Sequence, residues 1–242
     1  MPDAAFAHPR LAALYDPLDP VRGDLEVYAD LLAGLGVRSV LDVGCGTGVF
    51  ALVLAERGFD VVGVDPAGAS LDLARAKPGA DRVRWVHGDV TMLTPLAVDA
   101  ATMTGNVAQL FVTDDEWATA LGGVRGALRP GGWFVFETRV PARRAWEEWT
   151  REATWSRDDV AGVGVVETWL DVLSVDGPIV RFRATYRFEA TGEELTSDST
   201  LRFRTRTEVE ASLDAAGFTV REVRDAPDRP GREHVFVAER AR

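Results

Sequence analysis

Along most of the chain the apolar positions follow two alternating patterns. Helical spacing runs through Asp24 to Leu35, with Leu25, Tyr28, Leu31, Leu32 and Leu35 on one face and Gly36 at the end. A short apolar run, Ser39 to Val43, then has the length of a buried parallel strand. Val49 to Arg57 reads as a helix stopped by Gly58, and Val61 to Asp65 as the next strand. Pro66 suits the first turn of a helix spanning Gly68 to Ala76. Val83 to His87, Val98 to Met103 and Trp133 to Glu137 are the following strands. A helix carrying Trp117, Leu121, Val124 and Leu128 opens on the capping box Thr113-Asp114-Asp115-Glu116. Arg129 to Gly132 is expected to turn into the fifth strand. Upstream, His8 to Asp16 predicts a short helix broken by Pro17 and Pro20. Alternation of this kind predicts an α/β fold with a doubly wound, mostly parallel sheet.

The pattern changes between Pro141 and Arg204. Val163 to Val175 is largely β-branched or aromatic, and Asp176-Gly177 is a hairpin signal. In Ile179 to Phe188, Phe182, Ala184, Tyr186 and Phe188 face one way, and Arg181, Arg183, Thr185 and Arg187 the other. Leu195 to Arg204 also alternates. Three antiparallel strands are expected here, with their apolar face over the carboxyl end of the sheet and the arginine row in solvent. Thr207-Glu208-Val209-Glu210 reads as a second capping box, for a helix ending at Gly217. Thr219 to Val223 and His234 to Ala238 are the last strands, joined by a loop over Ala226 to Arg232.

The candidate chemistry gathers at the first strand. It runs into Asp42-x-Gly44-x-Gly46-x-Gly48 and a helix. A ligand there lies on bare backbone, facing the first N–H groups of the helix. The dinucleotide fingerprint G-x-G-x-x-G would need a third glycine where Val49 stands. A carboxylate at Asp42 repels a pyrophosphate and accepts hydrogen bonds from an ammonium group, so the expected ligand is amino-acid-like at this end. Asp65, at the end of the second strand, is placed to hold a ribose diol.

Asp42-x-Gly44-x-Gly46-x-Gly48, then Asp65, then Gly88-Asp89-Val90, resembles the class I S-adenosylmethionine-dependent methyltransferases of the small-molecule type, over roughly Leu25 to Ala238. The resemblance implies a Rossmann-like, seven-stranded methyltransferase sheet with an inserted antiparallel β lid. It implies one domain over 1–242, with a helical N-terminal cap over 1–36 and the lid over 141–205. S-adenosylmethionine is the implied cofactor. Asp89 would accept the adenine amine and the Val90 backbone would meet a ring nitrogen. Tyr15 and Arg22 would stand near the methionine end, with Cys45 contributing its backbone and Pro66 also touching the donor. Thr104, Gly105, Asn106 and Gln109 follow the fourth strand, where cofactor and substrate meet. Glu137, Arg139, Trp146 and Trp149 are candidates for the acceptor pocket, although the tryptophans could equally bury the insertion on the core.

Composition narrows the picture. The chain has 242 residues and 46% hydrophobic positions, ordinary for one sizeable globular domain. A net charge of −11 disfavours a nucleic-acid partner. No apolar run approaches a membrane span, the first residues lack a signal-peptide pattern, and Cys45 is alone. The expectation is a cytoplasmic monomer or homodimer holding no metal. No general base stands out, since His8, His87 and His234 all have weak positions, and the catalytic residues stay unassigned. The Asn-Pro-Pro-Tyr signature of nucleic-acid and glutamine N-methyltransferases is absent after the fourth strand. The implied activity is methyl transfer to a nitrogen or oxygen of a small molecule. Methylation of a protein or RNA, a non-catalytic donor-binding module and a nicotinamide oxidoreductase are the alternatives.

Overall fold

The structure, a computed structural model, describes residues 2–93 and 96–242. Met1 of the expected cap therefore lies outside the described residues.

The chain opens with two short helices, α1 (Ala4–Ala7) and α2 (Pro9–Leu18), and a longer one, α3 (Gly23–Gly34). Pro17 does not break α2 but sits in its last turn, and Leu18 ends the helix. A proline there forfeits one ladder bond close to where the ladder stops anyway. The α/β alternation follows: β1 (Ser39–Val43), α4 (Val49–Glu56), β2 (Asp60–Asp65), α5 (Gly68–Ala76), β3 (Val83–His87), β4 (Val98–Met103), α6 (Asp114–Ala127) and β5 (Leu128–Arg139). Arg129 to Gly132 is not a turn before β5. It is a loose stretch inside the strand, where the register with β4 slips between Val98 and Ala100.

The insertion carries a four-residue helix, α7 (Arg151–Thr154), and four strands rather than three. These are β6 (Ser156–Val160), β7 (Gly164–Asp176), β8 (Ile179–Phe188) and β9 (Glu193–Arg202), an antiparallel sheet in that order. The extra strand is β6, Ser-Arg-Asp-Asp-Val, which has no apolar alternation and exists because β7 supplies its hydrogen bonds. After it come α8 (Arg206–Ala215), β10 (Phe218–Asp225) and β11 (Glu233–Arg240). The box on α8 is formed by Thr205 and Glu208, not by Thr207 and Glu210. Both pairs have the spacing, and the backbone leaves extended geometry at Thr205.

The main sheet has the order β10-β11-β5-β4-β1-β2-β3. Pairing is parallel from β5 to β3, and β11 runs antiparallel to both its neighbours. Leu41, Met103, Phe134, Phe136 and Phe236 fill the core on one face of this sheet. Val40, Val61, Ala100 and Val135 meet α3 and α4 on the other. The inner face of the insertion does not lie directly on the sheet. Val166 and Phe188 pack on Leu11 and Leu14 of α2, while Val180 and Leu201 pack with Phe203 beside Trp146 and Trp149. α1 and α2 are thus held between the insertion and α5, while α3 packs on the main sheet. On the outer face Arg183 pairs with Asp198 and Arg187 with Glu167, in solvent as the alternation predicts.

Candidate active site

One cavity of about 780 Å³ opens where β1, β2 and β4 end. That volume lies in the upper part of the range of small-molecule sites. Its floor is the turn after β1, and the three glycines of that turn have three different reasons to be glycine. A side chain at Gly44 would come within 2.6 Å of Val107. One at Gly48 would come within 2.5 Å of Trp85, so Gly48 permits α4 to pack on the sheet and does not line the cavity. At Gly46 a Cβ would meet nothing within 4 Å, because the position faces the cavity. Its φ of +53° also favours glycine.

Carboxylates stand around this floor. Asp42, on β1, is buried, and one of its oxygens accepts a hydrogen bond of 3.0 Å from the Thr102 hydroxyl. The other, Oδ2, is buried without a partner. Burial raises its pKa to about 7, against the Thr102 bond, and the nearby Asp65 charge adds to the rise. Asp65 accepts the Gly46 N–H at 2.8 Å and the Ala67 N–H at 2.7 Å, which fixes its carboxylate at the cavity wall. Burial raises its pKa in spite of those bonds. Asp89 takes the N–H and hydroxyl of Thr91 on one oxygen, at 2.8 and 2.6 Å. Val90 beside it is buried against α6, where a side chain at Gly123 would clash with it.

The cavity also receives Tyr15, Arg22, Cys45, Pro66, Thr104 and Gly105. Arg22 is held by Asp24 at 3.3 and 3.4 Å. The Cys45 thiol is pushed up by burial and by the charges of Asp42 and Asp65, so it stays protonated. The sequence gives no sign of several further wall residues. Phe6 of α1 enters beside Tyr15, with ring centroids 5.6 Å apart. Leu110, Phe111 and Val112 close the far side. The insertion braces that side, because Arg202 donates to the Val112 carbonyl and Arg204 to that of Thr113, both at 3.1 Å.

Asn106, Gln109, Glu137, Arg139, Trp146 and Trp149 do not line this cavity. Asn106 donates to Glu233 at 2.9 Å, and Gln109 accepts from Arg139 at 3.0 Å. Glu137 accepts the Tyr28 hydroxyl and, at 2.7 Å, the Gly105 N–H. They form a buried polar layer behind the wall. Trp146 and Trp149 pack on Phe203 and Phe182, so they fill a small core within the insertion itself. None of the three histidines lines the cavity. His87 faces the Pro66 carbonyl at 3.1 Å, and burial lowers the pKa of His234. Among the described residues, no cluster of His, Cys, Asp and Glu is placed to hold a metal ion. No described helix is long and apolar enough to cross a membrane.

Residues 40–132 match a family model described as a methyltransferase domain. Cypemycin N-terminal methyltransferase from a Streptomyces species is 40% identical over 106 residues, 43% of each chain. The matched stretch spans about half the length of the relatives. Among solved structures, S-adenosylmethionine-bound CalS10, an amino pentose methyltransferase from Micromonospora echinaspora, superposes with a TM-score of 0.72. It is 27% identical, and the match covers 94% of this chain and 97% of that one. A methyltransferase from Clostridium acetobutylicum, 16% identical with a TM-score of 0.78 over 96% of this chain and 98% of that one, shares the fold. The sheet order and the glycine floor are those of the class I methyltransferase fold. Residues 40–132 thus match a methyltransferase domain, and over nearly its whole length the chain is similar to an S-adenosylmethionine-bound methyltransferase. The residues present fit that donor: Asp42, in the cavity wall, keeps one carboxylate oxygen without a partner, and of the three glycines only Gly46 leaves room above the turn.

Proposed function

We propose that this protein transfers a methyl group from S-adenosylmethionine to a nitrogen or oxygen atom of a small molecule. The observation that carries this is one continuous cavity joining the glycine floor and the Asp42, Asp65 and Asp89 carboxylates to Tyr15, Arg22, Thr104 and Gly105. Asp42 would hold the donor's ammonium group, Arg22 its carboxylate, Asp65 the ribose and Asp89 the adenine amine. Gly44, Cys45, Gly46 and Pro66 would supply backbone, and Val90 an apolar edge. The bound donor supplies an electrophilic methyl group on a positively charged sulfur. This chain's residues align the acceptor with it, an effect worth about 7–11 kcal/mol in favourable cases. A wall of buried side chains keeps out water while that charge disperses.

A small acceptor is favoured because the N-terminal segment and the insertion roof the site. Pro2, Phe6 and Tyr15 come from one, and Thr200 from the other. On this reading residues 1–36 are a cap and 141–205 a lid on a single domain. The net charge of −11 speaks against a nucleic-acid partner, and the reading keeps a cytoplasmic monomer or homodimer. A second reading is methylation of a peptide amine, favoured by the relative that methylates the N-terminus of cypemycin. Incubation with methyl-labelled donor tests both, in the presence of a metabolite extract or a peptide library. Label in small amines or alcohols supports the first, and label in peptides the second. A folded, donor-binding protein that labels neither is a binding module.

A further inference from the structure

The chain carries 26 arginines and a single lysine, Lys77. It follows α5, far in sequence from the groups it meets. Its Nζ lies 2.5 Å from Asp16 Oδ2 of α2 and donates to the Thr47 carbonyl at 2.7 Å. The Thr47 hydroxyl donates to Asp16 Oδ1 at 2.6 Å. Three contacts thus close a ring around three residues. Thr47 lies in the donor floor, between Gly46 and Gly48. Asp16 adjoins Tyr15, which lines the cavity and touches Phe6. The Ser70 hydroxyl of α5 donates to the Phe6 carbonyl at 2.9 Å, so α5 grips the same segment twice.

We infer that Asp16, Lys77 and Thr47 form a latch that holds Tyr15 and Phe6 over the donor groove, and that donor exchange requires it to open. The inference rests on the donor reading above. Both oxygens of Asp16 are taken by the ring, and one of those bonds comes from the floor itself. Separating α2 from the core therefore breaks the ion pair and the hydroxyl bond together. The Lys77 and Asp16 side chains are 25% and 32% exposed. At that exposure salt screens the pair only in part. Asp16, Lys77 and Thr47 act here as positioning residues, through Tyr15 and Phe6.

The test uses S-adenosylhomocysteine as probe. Lys77→Met and Asp16→Asn should each speed its dissociation by about tenfold, with most of the change in the off-rate. The donor KM should rise while kcat at saturating donor and the acceptor KM hold. In the wild type, rising salt should speed dissociation, and Lys77→Met should flatten that dependence. A second measurement needs no variant. Because Lys77 is the chain's single lysine, an acetylating ester reports on it in the mass of the proteolytic peptide that carries it, apart from the N-terminal amine, and bound S-adenosylhomocysteine should slow its acetylation several-fold. Unchanged off-rates in folded variants, or equal acetylation with and without the probe, would overturn the latch. Failure of the wild type to bind the probe removes the donor reading, and the latch with it.

Discussion

Two sets of buried carboxylates stand near the same end of the sheet, an outer one in the cavity wall and an inner one behind it. Asp42 and Asp65 line the cavity. Glu137 and Glu233, on β5 and β11, do not line it and meet protein groups instead, Glu233 through Oε1 while its Oε2 has no partner. Glu137 takes Tyr28 and Gly105, while Glu233 takes Asn106 and lies 3.2 Å from Arg229 and 3.8 Å from Arg139. The second set fixes the backbone at Gly105 and Asn106, both with positive φ, and so shapes the wall the first set shares. A buried carboxylate alone therefore does not mark a binding group. Its place in the cavity wall decides.

Substitutions separate the two sets, and the largest effect is expected in the inner one. Glu233→Ala leaves Arg139 and Arg229 short of their counter-charge and Asn106 unpaired. It should lower stability by about 3–5 kcal/mol, read by denaturant unfolding. Gly46→Val should abolish S-adenosylhomocysteine binding, since the new side chain enters the cavity, and its φ of +53° should cost some stability as well. Gly48→Val should cost more stability, because its side chain also meets Trp85. Asp65→Ala should weaken binding by about 1.5–3 kcal/mol, the scale of hydrogen bonds to a charged group. At the small end, Arg183→Ala on the outer face of the insertion should leave both the melting temperature and binding where they were.

Asp42 gives the comparison a pH signature. Its pKa is raised from 3.8 to about 7 because burial penalises the charge. In the free protein the neutral acid is the stable form. Its contribution to stability is full below 3.8 and is lost as the pH rises through about 7. An ammonium group needs the ionised form, so binding is coupled to proton release. Affinity for S-adenosylhomocysteine should therefore climb with pH by up to about tenfold per unit below 7 and level off above it. Asp42→Asn should flatten that climb.

The outer set was legible in the sequence because it is local. Asp42 and the glycines share one turn, and Asp65 and Asp89 end or follow strands that periodicity delimits. The inner set was not, because it is made by contact between distant segments. Tyr28 meets Glu137 across 109 positions, and Asn106 meets Glu233 across 127. Glu233 looks like one more acid beside an arginine-rich loop, and only the antiparallel return of β11 brings it inward. The same reason hid Asp16 and Phe6, whose neighbours are supplied by α5 and the floor. In the insertion, β7 to β9 showed by alternation, whereas β6 borrows its conformation from β7 and carries no pattern of its own.

The central claim is that the glycine floor and its facing carboxylates hold the methyl donor. Calorimetric titration with S-adenosylhomocysteine, on the wild type and on folded Gly46→Val side by side, tests it most directly. The account predicts saturable one-to-one heat for the wild type and none for the variant. Equal binding by both proteins would contradict it, because the donor would then lie somewhere other than over that turn.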